Sequence, residues 1–209
     1  MKVIAINGSP RENGNTFFVL SKMAEELKKE KIDTEIIQIG SQKIRGCMGC
    51  GHCFQSENNH CSITDDMLNN TVDMVRKADG LILGSPTYYA GIAGTMKSFC
   101  DRLFYTSFRK YFKYKVGSSV SIARRAGAVD VIHQLNNYFN LAEMIIAPSQ
   151  YWSIVFGAAQ AEVAKDEEGI QTLQRNAQAM VWLLKIIDAT RNTIPAPVHE
   201  GRARTNFIR

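Results

Sequence analysis

Lys2-Val3-Ile4-Ala5-Ile6-Asn7-Gly8-Ser9-Pro10-Arg11-Glu12-Asn13-Gly14-Asn15-Thr16 opens with a β-branched run that reads as a buried strand, turns sharply at a glycine and enters a helix. The helix is predicted over residues 16–31, with Phe17, Leu20, Met23, Ala24 and Leu27 at helical spacing and Glu and Lys on the opposite face. A strand followed by a helix of this length needs a crossover, so the next strand runs parallel to the first. That strand is read at 34–39, where apolar and polar residues alternate. A cysteine-bearing loop follows at 40–64, and Asp65-Asp66 open a helix through 77, acids at its positive end.

Downstream the alternation repeats: a strand at 80–84, a helix at 93–104, a strand at 115–123, a helix at 128–141 and a short fifth strand at 144–147. Residues 149–164, rich in aromatic and small side chains, show no clear period, and 167–190 read as a long last helix. The expectation is one α/β domain over 1–190: a doubly wound, five-stranded parallel sheet with helices on both faces, the cysteine loop inserted after strand two. Pro195 and Pro197 then break the pattern and leave a basic tail over 191–209.

The 209 residues suffice for one sizeable core, and 45% apolar with 22% charged residues is the balance of a soluble globular chain. Apolar runs are too short to span a bilayer, and the first residues enter a strand with no signal-like apolar core and cleavage site. A cytoplasmic location with reduced thiols is expected, where clustered cysteines bind metal more often than they pair. The net charge of +5 is spread along the chain, except at 108–115 and 202–209, without a nucleic-acid motif. It is assigned to a solvated face or an anionic cofactor, with neither nucleic acid nor membrane as partner.

Open parallel sheets bind ligands beyond the carboxyl ends of their strands, so function belongs to the loops after strands one, three and four. In the first, Ser9, Asn15 and Thr16 offer hydroxyl and amide groups, and the helix start adds free N–H groups and its positive dipole end. A triphosphate P-loop would need a lysine after Gly14, and a dinucleotide fingerprint would need a third glycine; neither is present. A monophosphate cofactor such as FMN suits what remains. Arg11 adds charge to the loop or points to solvent. In the loop after strand three, Pro86 stiffens the chain, Tyr88 and Tyr89 offer flat surface, and Ala90 and Gly91 allow close approach of a ring. After strand four, Ala123-Arg124-Arg125-Ala126-Gly127 sits in the equivalent place, its arginines either at the polar end of that ring or on the surface.

On these residues the chain resembles the NADPH-dependent FMN reductase family of flavodoxin-like proteins, and within it the iron–sulfur flavoproteins and their cluster-free relatives. The resemblance is carried by Asn7–Arg11 with Gly14–Thr16, by the cysteine loop ending in Asp65-Asp66-Met67, by Gly84–Tyr89 and by the closing Thr205–Arg209. It implies that Ser9, Arg11, Asn13, Asn15 and Thr16 hold the FMN phosphate. Pro86, Thr87, Tyr88, Tyr89 and Gly91 would line the isoalloxazine, with Ala123, Arg124 and Gly127 at its other edge. It also implies a homodimer or homotetramer, with NAD(P)H or ferredoxin as electron donor and an acceptor that the sequence does not identify. No side chain is required as an acid or base, so no catalytic residue is assigned.

Cys47, Cys50, Cys53 and Cys61 have the spacing Cys-x2-Cys-x2-Cys-x7-Cys. Three cysteines at successive x2 spacing suit a 4Fe–4S site more than structural zinc, which usually takes two separated pairs, and Cys61 could supply a fourth corner. Gly46, Gly49 and Gly51 allow the close wrapping such a site needs. Cluster, zinc and free thiols remain open on these residues. A thiol- or zinc-based redox sensor is the alternative outside enzymology. His52 and His60 are read as loop histidines and Cys100 as a buried small hydrophobe.

Overall fold

The computed structural model describes residues 1–107 and 111–198, with Ala203, Thr205 and Phe207. Parts of the basic clusters at 108–115 and 202–209, and most of the Thr205–Arg209 motif, therefore lie outside the described residues. The chain runs β1 (Lys2–Asn7), α1 (Asn15–Lys29), β2 (Asp33–Gln38), α2 (His52–Gln55), α3 (Leu68–Lys77), β3 (Gly80–Tyr88), β4 (Gly91–Ile92) and α4 (Gly94–Ser107). It continues through β5 (Val116–Ala123), α5 (Ala128–Leu141), β6 (Ile145–Ile146), β7 (Ile154–Phe156), a 3₁₀ turn (Glu162–Lys165) and α6 (Glu167–Thr190).

The main sheet has the order β2-β1-β3-β5-β6 with parallel pairing throughout, so the chain reverses its winding between β1 and β3. This is the flavodoxin-like doubly wound order, and its switch point opens a crevice at the carboxyl ends of β1 and β3. Both sheet faces are covered. Val3, Ala5 and Ile82 pack with Val19, Leu20, Met23, Leu173 and Met180 of α1 and α6, while Ile4, Ile6, Leu81 and Leu83 pack with Val72, Phe99, Leu103 and Leu135 of α3, α4 and α5. Successive strand residues thus enter opposite cores, each buried side chain contributing about 1.5–3 kcal/mol.

Three sequence expectations change. The fifth strand is split: β6 pairs with Val116 and Gly117 of β5, and β7, from the segment without a period, pairs with Ser121–Ala123 farther along the same edge. Strand three runs on to Tyr88, and β4 folds back on it antiparallel. Helix α3 starts at Leu68 rather than Asp65, because Asp66 turns inward to a buried ion pair with Arg102 while its Oδ1 accepts the Leu68 N–H at 3.0 Å. No helix among the described residues is long and apolar enough to cross a membrane.

Candidate functional site

Beyond β1 the backbone is fixed before any ligand is considered. Asn7 is fully buried; its Oδ1 accepts the Ser9 N–H at 3.1 Å and its Nδ2 donates to Gln38 Oε1 at 2.5 Å. Gln38 in turn donates to Ser9 O at 2.7 Å, and Ser9 Oγ accepts the Arg11 N–H at 3.1 Å. Gly40 passes so close that a Cβ there would stand 2.1 Å from Ser9 O, a contact no side chain can make. The loop then delivers α1 with Gly14 as its N-cap, no side-chain cap and no acid in the first turn. Its first N–H groups are available to an anion and the dipole favours one.

A cleft of about 390 Å³ lies over this helix end. Ser9, Arg11, Asn13, Gly14, Asn15 and Thr16 form one wall; Pro86, Thr87, Tyr88, Ile122, Ala123 and Arg124 form the other. Tyr89, Gly91 and Gly127 do not line it. Tyr89 and Ala90 form the tip of the β3–β4 hairpin, both in left-handed conformation (φ 49° and 56°), which turns the fully exposed Tyr89 away. Gly91 lies in β4 beside Gln134, and Gly127 (φ 85°) packs so tightly on Ala90 that a Cβ would approach to 3.0 Å. These two glycines shape the rim from behind.

The sequence reading missed a third wall, formed by Gly157, Ala158 and Gln160 after β7. Gly157 N–H donates to Ala123 O at 3.0 Å, Gln160 Nε2 to Asn13 O at 3.2 Å, and Asn15 Nδ2 to Ala159 O at 2.9 Å. Glu162 Oε2 accepts the Ala159 and Ala158 N–H groups at 2.8 and 2.6 Å, and these bonds hold its carboxyl below the usual carboxylate range. Without a recognisable strand before it, the segment could not be placed from the sequence. Asn15 Oδ1 is buried in the wall without a hydrogen-bond partner, an acceptor that a ligand hydroxyl would satisfy. Arg11, hydroxyls and a helix N-terminus on one side, with Pro86, Tyr88 and Arg124 on the other, fit a phosphate-bearing planar cofactor.

Cys47, Cys50, Cys53 and Cys61 line a second, small cavity of about 20 Å³ with Arg102, Tyr105 and Thr106 of α4. It shares no residue with the cleft. Gly49 and Gly51 turn left-handed (φ 64° and 72°) and curl the loop, and Gly49 N–H donates to Cys47 Sγ at 3.4 Å. Cys50 Sγ meets Ser62 Oγ at 3.5 Å, which lowers its thiol pKa, while burial raises that of Cys53. Asn69 clamps Cys61 through both its N–H (2.8 Å) and its C=O (3.0 Å). His60 is engaged with Asp73 at 2.9 Å, and Cys100 is fully buried, its thiol pushed far up by desolvation. Among the described residues, no three His, Cys, Asp or Glu side chains converge on a single-ion site.

An iron-sulfur flavoprotein of Methanocaldococcus jannaschii is 30% identical over 194 residues, which cover 90% of this chain and 99% of that protein. One from Methanosarcina thermophila is 28% identical over 198 residues, 92% of this chain and 100% of the other. Among solved structures, RosB, determined with bound 8-demethyl-8-formylriboflavin-5'-phosphate, superposes with a TM-score of 0.71 at 14% identity, covering 100% of this chain and 94% of its own. A flavone reductase gives 0.70 at 17% identity, over 90% of this chain and 64% of its own. Residues 1–159 match the NADPH-dependent FMN reductase family, and this chain belongs to it.

Proposed function

We propose that this chain is an FMN-dependent oxidoreductase that takes electrons from NAD(P)H and passes them to an acceptor, with a 4Fe–4S cluster in the cysteine cavity as the exit. The observation that carries the flavin reading is the uncapped, acid-free N-terminus of α1 opening into a cleft with Arg11 and Arg124 on its walls. Ser9, Arg11, Asn13, Asn15 and Thr16 would hold the phosphate, and Pro86, Thr87, Tyr88, Ala123 and Arg124 would border the ring system. When bound, FMN supplies a hydride acceptor that returns electrons singly or in pairs. The chain's part is to position and shield. Thr87 Oγ1 and Ser121 Oγ, 2.9 Å apart, tie the strand ends below the ring site, and Gln134 holds the hairpin that carries Tyr88 through Ala90 O (3.3 Å) and Ile92 N–H (3.3 Å).

Cys47, Cys50, Cys53 and Cys61 are the groups that would ligate a cluster, and such a cluster supplies a one-electron relay. Four thiols lining one cavity at Cys-x2-Cys-x2-Cys-x7-Cys spacing suit a multi-atom cluster more than a single zinc ion, which usually takes two separated pairs. Helix α4 passes under the turn that leaves β1, where Met96 would meet a Cβ on Gly8, and lines the cysteine cavity with Arg102; Met96 and Arg102 are six residues, about 9 Å, apart along its axis.

The test is an anaerobic absorption spectrum with iron and sulfide assays, followed by titration with NADPH at the flavin band. Flavin peaks with about four irons per chain and bleaching by NADPH are expected. Bleaching only through reduced ferredoxin would make the chain a ferredoxin-linked carrier. A colourless protein that takes up no added FMN would overturn the reading and leave a thiol or zinc sensor.

A further inference from the structure

Arg102 sits on α4 with 1% of its surface exposed, and among the described residues it is the only buried lysine or arginine. Burying a guanidinium is costly, and such ion pairs commonly contribute no more than apolar residues of the same volume would. Stability of the fold is therefore a weak reason for this side chain to be here. Its donors are all engaged, and their arrangement is informative. Nη1 and Nη2 form a forked pair with Asp66; Nη1 also donates to Arg45 O at 3.2 Å and Nη2 to Ile63 O at 3.2 Å. Those carbonyls lie two residues before Cys47 and two after Cys61, so the guanidinium ties both ends of the cysteine loop together. With four donors fixed, the direction of the fifth is fixed too. Nε–H falls on Cys61 Sγ at 3.3 Å.

From this we propose that Arg102 is the residue that sets the reduction potential of the centre held by the four cysteines, by donating a charge-assisted hydrogen bond to Cys61 Sγ. The inference rests on the cluster reading above. Hydrogen bonds to ligand sulfur and net charge at the site are main determinants of cluster potential. Reduction adds one electron to the cluster and makes or breaks no bond to the protein; a buried positive charge and an N–H aimed at sulfur both favour the more electron-rich state. Arg102 is thus a positioning residue that acts through Cys61. Asp66 keeps the guanidinium from swinging away, which a lone arginine would do.

The experiment is an anaerobic, dye-mediated potential titration with dithionite as the electron source, following the reduced-cluster spin signal, the flavin couple of the same sample serving as reference. Arg102→Gln removes the charge and redirects the donor, and at the poise where the wild type is half reduced its reduced-to-oxidised ratio should fall about tenfold, equal to about 59 mV for a one-electron couple. Because Arg102→Gln leaves Asp66 buried without its partner and can unfold the chain, Arg102→Met/Asp66→Asn removes both charges and keeps an acceptor for the Leu68 N–H; with net charge unchanged and only the hydrogen bond to sulfur lost, it should show a smaller fall, still beyond about twofold. A ratio within about twofold of wild type in a variant that retains full iron and sulfide would overturn the inference and leave the cluster reading standing. So would a folded double variant that no longer assembles iron, since Arg102 would then serve assembly. Wild-type protein that contains neither iron nor sulfide would overturn both.

Discussion

At the residue scale, Gly40 shows how a position outside the cleft decides its shape. The missing Cβ lets the chain after β2 cross directly over Ser9, whose carbonyl and hydroxyl fix the turn into α1. Gly40→Ala must displace that backbone, since the atoms it meets are main-chain atoms that cannot rotate aside. The expected result is folded protein whose FMN affinity, measured by flavin fluorescence titration, falls by at least about tenfold, the cost of misplacing one charge-assisted hydrogen bond. Lys115 gives a pH signature. Its ammonium, half-buried behind α3, donates to Val75 O (3.2 Å), Arg76 O (2.5 Å) and Ala78 O (2.6 Å), and burial nonetheless pushes it down to about 8, partly opposed by Asp79. Between that value and the ordinary lysine range the unfolded chain binds the proton and the folded one does not, so this group makes stability rise with pH there. Denaturant melts of wild type minus Lys115→Met across that window should show the rise, no steeper than the roughly 1.4 kcal/mol per pH unit of one proton.

At the scale of elements, the segment after β7 is where sequence reading and structure part company. Residues 149–164 carry no helical or strand period because β7 is only three residues long and the rest is held by side chain–backbone bonds that span the sequence, Asn15 to Ala159 O and Gln160 to Asn13 O among them. Such long-range bonds leave no local pattern. By contrast β1, α5 and α6 have the bounds the pattern predicted, since each is long, amphipathic or flanked by turn residues. That Ser9, Arg11, Asn13, Asn15 and Thr16 share one wall was legible because one contiguous loop supplies them; the third wall was not, because it arrives from across the sheet. Glu162 is the keystone of that third wall, accepting two consecutive N–H groups. Glu162→Ala should free the loop and weaken FMN binding about tenfold, leaving the thermal midpoint nearly unchanged because the residue is at the surface. In the wild type, the carboxyl pKa is lowered by folding, so its contribution holds above the ordinary carboxylate range and is lost as pH falls through the depressed value. The hairpin tip makes the opposite case: Ala90 is held left-handed at a cost only glycine avoids, so Ala90→Gly should stabilise the protein by about 1 kcal/mol in chemical denaturation.

At the scale of the whole molecule, the doubly wound sheet creates one crevice by its topology and the cysteine loop adds a second site beside it, on the far stretch of α4. The sequence revealed both sets of residues but not their separation, because loop 40–64 lies between β2 and α3 in sequence and its resting place depends on Arg102 and Arg76. Both are on helices and carry no motif. Arg76 donates to Asn58 O (2.6 Å) and Asn59 O (2.9 Å), anchoring the loop to α3 as Arg102 anchors it to α4. Sites that share no lining residue should be energetically independent to within a few tenths of a kcal/mol. Replacing Cys47, Cys50, Cys53 and Cys61 together by serine should therefore leave FMN affinity within about twofold of wild type. Reduction of the flavin by NADPH should persist in this variant, while transfer onward to a one-electron acceptor protein should slow sharply; stopped-flow absorbance separates the two. Loss of FMN from the quadruple variant would show that the cysteine loop, despite its separate cavity, braces the cleft through α4. Equal onward transfer in both proteins would show that electrons leave directly from the cleft between Tyr88 and Arg124.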